Sequence, residues 1–183
     1  MDGCGQISST SYLDYGRVIV ESNPLGQTQG REYDAFGRVL REQDARGLIT
    51  TYSYNDSTRT LVVTTPDGLA MTTVRNRHGE TLTFTDSKGS TQAFSYDKNG
   101  QRISSADGLG RTTTNAYDVA GHLLNVTDAL GRVTSYGYDA ANRMISRTDA
   151  GGVVTQYVFD GQGRKVRMTE AGQRITDYAY DRA

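Results

Sequence analysis

Tyr33-Asp34-Ala35-Phe36-Gly37-Arg38-Val39-Leu40 decides the fold, because its Tyr-Asp-x-x-Gly frame returns every 21 residues along the chain. The marker position holds Tyr12, Tyr33, Tyr54, Arg75, Tyr96, Tyr117, Tyr138, Phe159 and Tyr180, in eight intervals of 21 without insertion or deletion. Self-similarity at a fixed period of this size defines a repeat protein, whose copies contact only their neighbours.

Superposed repeats show what each position is for. Asp34, Asp97, Asp118 and Asp139 follow their markers, and Gly37, Gly100 and Gly121 stand three residues further on. An Asp at the first corner of a type I turn accepts hydrogen bonds from the backbone ahead, and a Gly at the fourth corner takes the left-handed conformation that closes a bulged hairpin. The same device returns halfway through the repeat, as Asp44/Gly47, Asp86/Gly89, Asp107/Gly110, Asp128/Gly131 and Asp149/Gly152. Two turns per repeat leave two short strands. The sequence therefore predicts an all-β fold of antiparallel hairpins, in a sheet that strand twist curves or winds into a spiral. Residues 1–11 read as a lead outside the repeats, and 12–183 as eight repeats plus the start of a ninth.

The strand residues predict two contacts. Three places past the marker-turn Gly the side chain is aliphatic throughout (Ile19, Leu40, Leu61, Leu82, Ile103, Leu124, Ile145, Val166), which predicts one buried face. Aromatics two residues apart, as in Tyr52/Tyr54, Phe94/Tyr96, Tyr136/Tyr138, Tyr157/Phe159 and Tyr178/Tyr180, share a single face. The residue after the turn Gly is often Arg (Arg17, Arg38, Arg59, Arg143, Arg164), and it is expected to stack on the marker ring of its own repeat.

Composition excludes several classes. The 36% hydrophobic content is low for a closed core, while 21 Gly and only 2 Pro suit tight turns between well-paired strands. A net charge of −1 gives no bulk reason to bind nucleic acid or an anionic membrane. Arg far outnumbers Lys (Lys88, Lys98, Lys165), which favours stacked or bidentate ion pairs. Cys4 is alone, so no intrachain disulfide forms. The opening residues lack the basic region and apolar run of a signal peptide, and no stretch reaches the roughly 18 apolar residues of a membrane span.

Tyr33 to Leu40, continued by Asp44-Ala45-Arg46-Gly47 and later by Asp128-Ala129-Leu130-Gly131-Arg132-Val133-Thr134, resembles the YD repeat of Rhs proteins, also found in the C components of insecticidal toxin complexes and in teneurins. The resemblance covers about residues 12–183. It implies a partial Rhs-type shell: a β-sheet wound around a C-terminal toxin domain, delivered from a bacterium in intercellular competition. It also implies that the partners are flanking segments of a larger Rhs-type chain and the enclosed toxin. The family's self-cleavage segment is centred on Asp-Pro-x-Gly, and this chain has no Asp-Pro; Asn23-Pro24-Leu25-Gly26 reads as an ordinary mid-repeat turn. The last residues, Tyr180-Asp181-Arg182-Ala183, open a new repeat, so the chain reads as a segment of a longer array.

Chemistry is expected to be absent. The Asp residues fall at turn corners, where a backbone role explains them and where Asn would serve as well. Nothing arranges His78 or His122 with an activated nucleophile. Asp-x-x-Gly lacks the carboxylate density of a calcium loop, and no phosphate loop or dinucleotide fingerprint occurs. The chain is read as neither enzyme nor cofactor binder. Repeats three and four depart most from the pattern: Thr58 stands for the turn Gly, Thr65 for the mid-repeat Asp, and Arg75 for the marker Tyr. The run Arg75-Asn76-Arg77-His78 reads as sequence drift compensated by other contacts, with a binding patch as the alternative. The functional alternative to a shell is a surface adhesion array binding carbohydrate through exposed Tyr rings. Exposed terminal strands would favour edge-to-edge self-association.

Overall fold

The computed structural model describes residues 9–13, 18–22, 25 and 27–181. The expectations placed on Cys4, Gly16, Arg17, Asn23, Pro24 and Gly26 lie outside the described residues. Two compact units divide the chain, Met1–Gln92 and Ala93–Ala183.

The first unit carries β1 (Ser9–Leu13), β2 (Val18–Ser22), β3 (Thr28–Tyr33), β4 (Val39–Gln43), β5 (Ile49–Asn55), β6 (Thr60–Thr64), β7 (Ala70–Arg75) and β8 (Thr81–Thr85). From β1 to β8 each strand is antiparallel to the one before it. Strand β9 (Thr91–Tyr96) runs into the second unit, where β10 (Arg102–Ala106), β11 (Thr112–Tyr117), β12 (Leu123–Thr127), β13 (Val133–Tyr138), β14 (Met144–Thr148), β15 (Val154–Phe159), β16 (Lys165–Glu170) and β17 (Arg174–Asp177) continue the pattern. Here too every strand is antiparallel to its successor. The predicted all-β hairpin architecture is what the chain adopts.

The buried face is a correction. Among the described residues no hydrophobic side chain is buried, and Thr155 is the one buried residue. In the predicted aliphatic column Leu40, Leu61, Leu82, Leu124 and Val166 are half-buried, whereas Ile103 and Ile145 are 38% and 37% exposed. Substantial contacts link only strands that follow one another in the chain. Among the described residues of each unit no second layer covers the sheet, so an alternating pattern yields half-covered faces rather than a core.

That aliphatic column has a second role. Next to the marker turn Tyr33 pairs with Val39, but one step further Glu32 pairs with Arg41, so Leu40 is an extra residue in its strand, a β-bulge. Leu82, Ile103, Leu124, Ile145 and Val166 occupy the same bulge in their own hairpins. The β5–β6 hairpin has none: Tyr54 pairs with Leu61 and Ser53 with Val62. Its extra residue sits in the loop instead, with Arg59 in the left-handed region at φ 53°. The left-handed position has therefore moved one residue past Thr58. Beyond the turn, Ser53–Val62 is the Glu32–Arg41 pair one repeat on. The two hairpins absorb the same extra residue in different places, which is why the 21-residue step survives.

The turn after β16 is of a different type, with Gly172 one place earlier than the repeat puts its Gly. Ala171 and Gly172 both take positive φ, 50° and 71°, and Gln173 N–H donates to Glu170 O at 3.1 Å. Positive φ at both central corners belongs to the mirror-image turn.

Candidate functional site: the turn ladder

Marker turns and mid-repeat turns share one construction. Gly37 N–H donates to Asp34 O (3.1 Å) and Asp34 N–H to Arg38 O (2.9 Å), with Gly37 at φ 79°. The Asp34 carboxylate then organises the loop: Oδ1 accepts Phe36 N–H at 2.8 Å and Arg38 N–H at 2.9 Å. Asp97, Asp118, Asp128 and Asp139 make the same pair of backbone bonds in their turns. Asn142 replaces Gly in the seventh repeat and takes φ 63°, the substitution the left-handed region tolerates best. Thr65, standing for the mid-repeat Asp, accepts no such pair; its hydroxyl donates to Leu69 O at 3.0 Å.

The second carboxylate oxygen does something the sequence reading did not assign. Asp34 Oδ2 takes Arg38 Nε at 2.6 Å, Asp128 takes Arg132 at 2.7 Å, Asp139 takes Arg143 at 2.8 Å and Asp160 takes Arg164 at 2.8 Å. His122 Nδ1 holds Asp118 Oδ2 at 2.8 Å in the same way. The side-chain bond from Arg132 or Arg143, joined by the backbone donors, holds the Asp128 and Asp139 carboxyls below the usual carboxylate range. The His122 bond does the same for Asp118. The signal was in the sequence as Asp-x-x-Gly-Arg. Asn in place of Asp128 keeps the backbone bonds and loses this ion pair, so it is not a silent change.

Stacking occurs, but in the other direction. The Arg38 guanidinium lies 4.3 Å from the Tyr54 ring centre, Arg143 lies 5.0 Å from Phe159, and Arg164 lies 4.7 Å from Tyr180. The His122 ring stacks on Tyr138 at 4.6 Å. Each covers the marker of the following repeat, not its own. The reason is the ion pair: the carboxylate holds the start of the guanidinium at its own turn, and the far end extends across the next strand. Arg38 also takes Asp56 in the next turn at 2.6 and 3.3 Å, and Gln101, after Gly100, reaches Gly121 O at 3.1 Å.

The marker Tyr returns the link. Tyr117 Oη donates to Arg102 O at 3.1 Å, Tyr138 to Leu123 O at 3.1 Å, and Tyr180 to Lys165 O at 2.9 Å. Each acceptor directly precedes a bulge residue. On its other side the strand ladder has already ended, at Ser104–Thr114 for β10–β11 and at Asn125–Ser135 for β12–β13. The hydroxyl thus satisfies a carbonyl that the bulge turns out of register. Burial raises the Tyr138 pKa, so its hydroxyl stays a donor. Tyr33 and Tyr96 occupy the same strand-end position and are half-buried.

This explains repeats three and four together. With no bulge in β6, the β6–β7 ladder runs on through Thr60–Val74, and Arg75 N–H donates to Arg59 O at 3.0 Å. Here the backbone ladder itself runs on to Arg59, one residue before the position whose carbonyl a Tyr hydroxyl takes elsewhere. In this hairpin the missing turn Gly and the missing marker Tyr accompany the same change of register.

Beside the ladder, the first unit has an open groove of about 450 Å3 lined by Glu21, Arg31, Tyr33, Glu42, Leu48 and Pro66 among others. Its polar groups bond one another: Arg31 meets Glu42 at 2.5 Å, and the Gln29 amide donates to Glu21 at 2.9 Å. Among the described residues no group of three or more His, Cys, Asp or Glu is placed to hold a metal ion. No helix is long and apolar enough to cross a membrane.

The RHS repeat family matches residues 12–49, 33–70 and 117–154, more than half of the chain, so this chain belongs to the RHS-repeat family. Among solved structures it is similar to TcdB2-TccC3, with 13% identity, 97% of this chain and 17% of that chain covered, and a TM-score of 0.28. The Tc holotoxin pore of Photorhabdus luminescens shows 13% identity over 97% of this chain and 16% of that chain, with a TM-score of 0.26. A porin-like protein from Bacteroides uniformis shows 15% identity over 92% of each chain, with a TM-score of 0.38. The chain spans about a sixth of the length of the toxin-complex chains it matches. A search of curated proteins gives no match.

Proposed function

We propose that this chain is a wall segment of an RHS-type shell that contains a C-terminal toxin domain until a bacterium delivers it to another cell. The carrying observation is the turn ladder: Arg38, His122, Arg143 and Arg164 stack forward on the next repeat, and Tyr117, Tyr138 and Tyr180 bond back to the one before. Such links give a one-layer sheet stiffness without a core. The role is mechanical and needs no cofactor, and the Asp34, Asp128, Asp139 and Asp160 carboxylates already serve their own backbone and a neighbouring Arg. The partners are the flanking stretches of the longer chain and the enclosed domain, with edge-to-edge association as the failure mode of isolated segments. A carbohydrate-binding array would need open ring faces, whereas Tyr54, Tyr138, Phe159 and Tyr180 are each covered on one side.

The test is the full reading frame. A downstream Asp-Pro-x-Gly segment, a toxin-like tail and an adjoining immunity gene are expected, and the tail should resist protease in the intact parent chain. Arg143→Ala combined with Tyr138→Ala should then expose it. A tail that is cleaved as fast in the intact parent as in isolation would overturn containment.

A further inference from the structure

We propose that Arg59, Arg75, Arg77 and His78, at the marker-turn edge of the third and fourth repeats, form an anion-binding surface that takes the carboxylates of an acidic protein segment. This goes beyond the wall reading and stands or falls independently of it.

Among the described residues the other Arg-bearing marker turns balance each Arg by the Asp four residues before it: Asp34/Arg38, Asp139/Arg143 and Asp160/Arg164. The third and fourth repeats break this balance. The Asp56 carboxylate belongs to Arg38, which grips it with two nitrogens. Asn76 replaces the turn Asp, and the nearby Glu80 carboxylate accepts the Asn76 side-chain N–H at 2.5 Å. Among the described residues Arg59, Arg75 and Arg77 have no ion-pair partner.

The backbone change accompanies the missing Gly and Tyr, but it calls for no cation. Any residue at 75 offers the N–H that Arg59 O accepts, and Gly would meet φ 53° at 59 without strain. Instead two arginines meet across that backbone bond, Arg59 in the β5–β6 turn and Arg75 at the end of β7; like charges brought together disfavour folding, and Arg59 also carries left-handed strain. Arg77 Nε donates to His78 Nε2 at 3.0 Å, which leaves the His78 proton on Nδ1. All four residues are exposed, and what they present outward is donors. Two costs at one place, and a cluster without acceptors, describe a surface that awaits an anion.

The chain's own contacts indicate which anion. Arg38 on Asp56 and Arg167 on Asp177 are both two-nitrogen grips on a carboxylate, the geometry guanidinium favours. A sulfated sugar would want a ring to stack on, and here the marker ring is replaced by Arg75.

The full 183-residue chain should bind a fluorescein-labelled hexa-aspartate peptide in anisotropy titrations, saturably and more weakly as salt rises. Arg75→Gln and Arg77→Gln should each weaken binding about tenfold, the loss of one charge-assisted pair. Arg164→Gln, at a turn whose Arg is already paired, should leave it unchanged. Arg59→Gly should weaken binding while raising the melting temperature, a combination a purely structural role would not give. Absence of saturable binding, an equal loss in Arg164→Gln, or tighter binding of a heparin hexasaccharide through the same residues would each overturn the proposal.

Discussion

Gly131→Val isolates the conformational requirement of the turns. Gly131 closes the Asp128 turn at φ 77°, its N–H donates to Asp128 O at 2.9 Å, and a Cβ placed there would meet nothing within 4 Å. No clash contributes, so the whole cost is that of forcing a β-branched residue into the left-handed region, about 1–3 kcal/mol. For a chain of this size, that corresponds to a fall in melting temperature of about 2–4 °C per kcal/mol. Two companions bracket it. Ala129→Val changes an exposed residue two places earlier that is not among those with positive φ, so it should cost well under half as much. Gly131→Asn should lie close to wild type, because Asn142 already occupies the equivalent position at φ 63°. Urea unfolding of the three variants followed by circular dichroism makes the comparison. If Gly131→Asn loses as much as Gly131→Val, or Ala129→Val loses as much as either, positive φ is not what the position demands.

Acid should weaken the fold within a defined window. The Asp118, Asp128 and Asp139 carboxyls are held below their ordinary value when folded, so their contribution is complete above the unfolded value near 3.9 and is lost as pH falls through the lower folded values; urea midpoints should be level from about pH 7 to 5 and drop below about 4, and a fall already complete by pH 5 would contradict this. Tyr138→Phe removes the donor to Leu123 O and should cost roughly 0.5–1.5 kcal/mol in a urea melt, with no cost meaning that the hydroxyl bond is idle. Gly137→Ala should destabilise for a reason unlike that at Gly131, since its Cβ would run into Ser146 Oγ; Ser146→Ala should restore most of the loss in a double-mutant cycle, and additive losses would refute the clash.

The sequence by itself determined the period, the two turns per repeat, and hence an antiparallel sheet. These are local matters: Asp bonds to backbone within four residues, and Gly reaches positive φ without any tertiary help. It also contains the Asp-to-Arg pairs, as at Asp34 and Arg38, although the residues alone point that Arg to a Tyr ring. Tertiary structure decided the rest. Arg38 covers Tyr54 rather than Tyr33 because β4 lies between two Tyr-bearing strands, and only the ion pair at Asp34 selects a side. Leu40 and its equivalents carry the bulge instead of a core, because burial depends on a second layer that no local pattern reveals. The carbonyls of Arg102, Leu123 and Lys165 need a Tyr hydroxyl only because the bulge beside them interrupts a ladder. For the same reason, the departures at Arg59 and Arg75 resembled two unrelated changes until strand register brought the two together across one backbone bond.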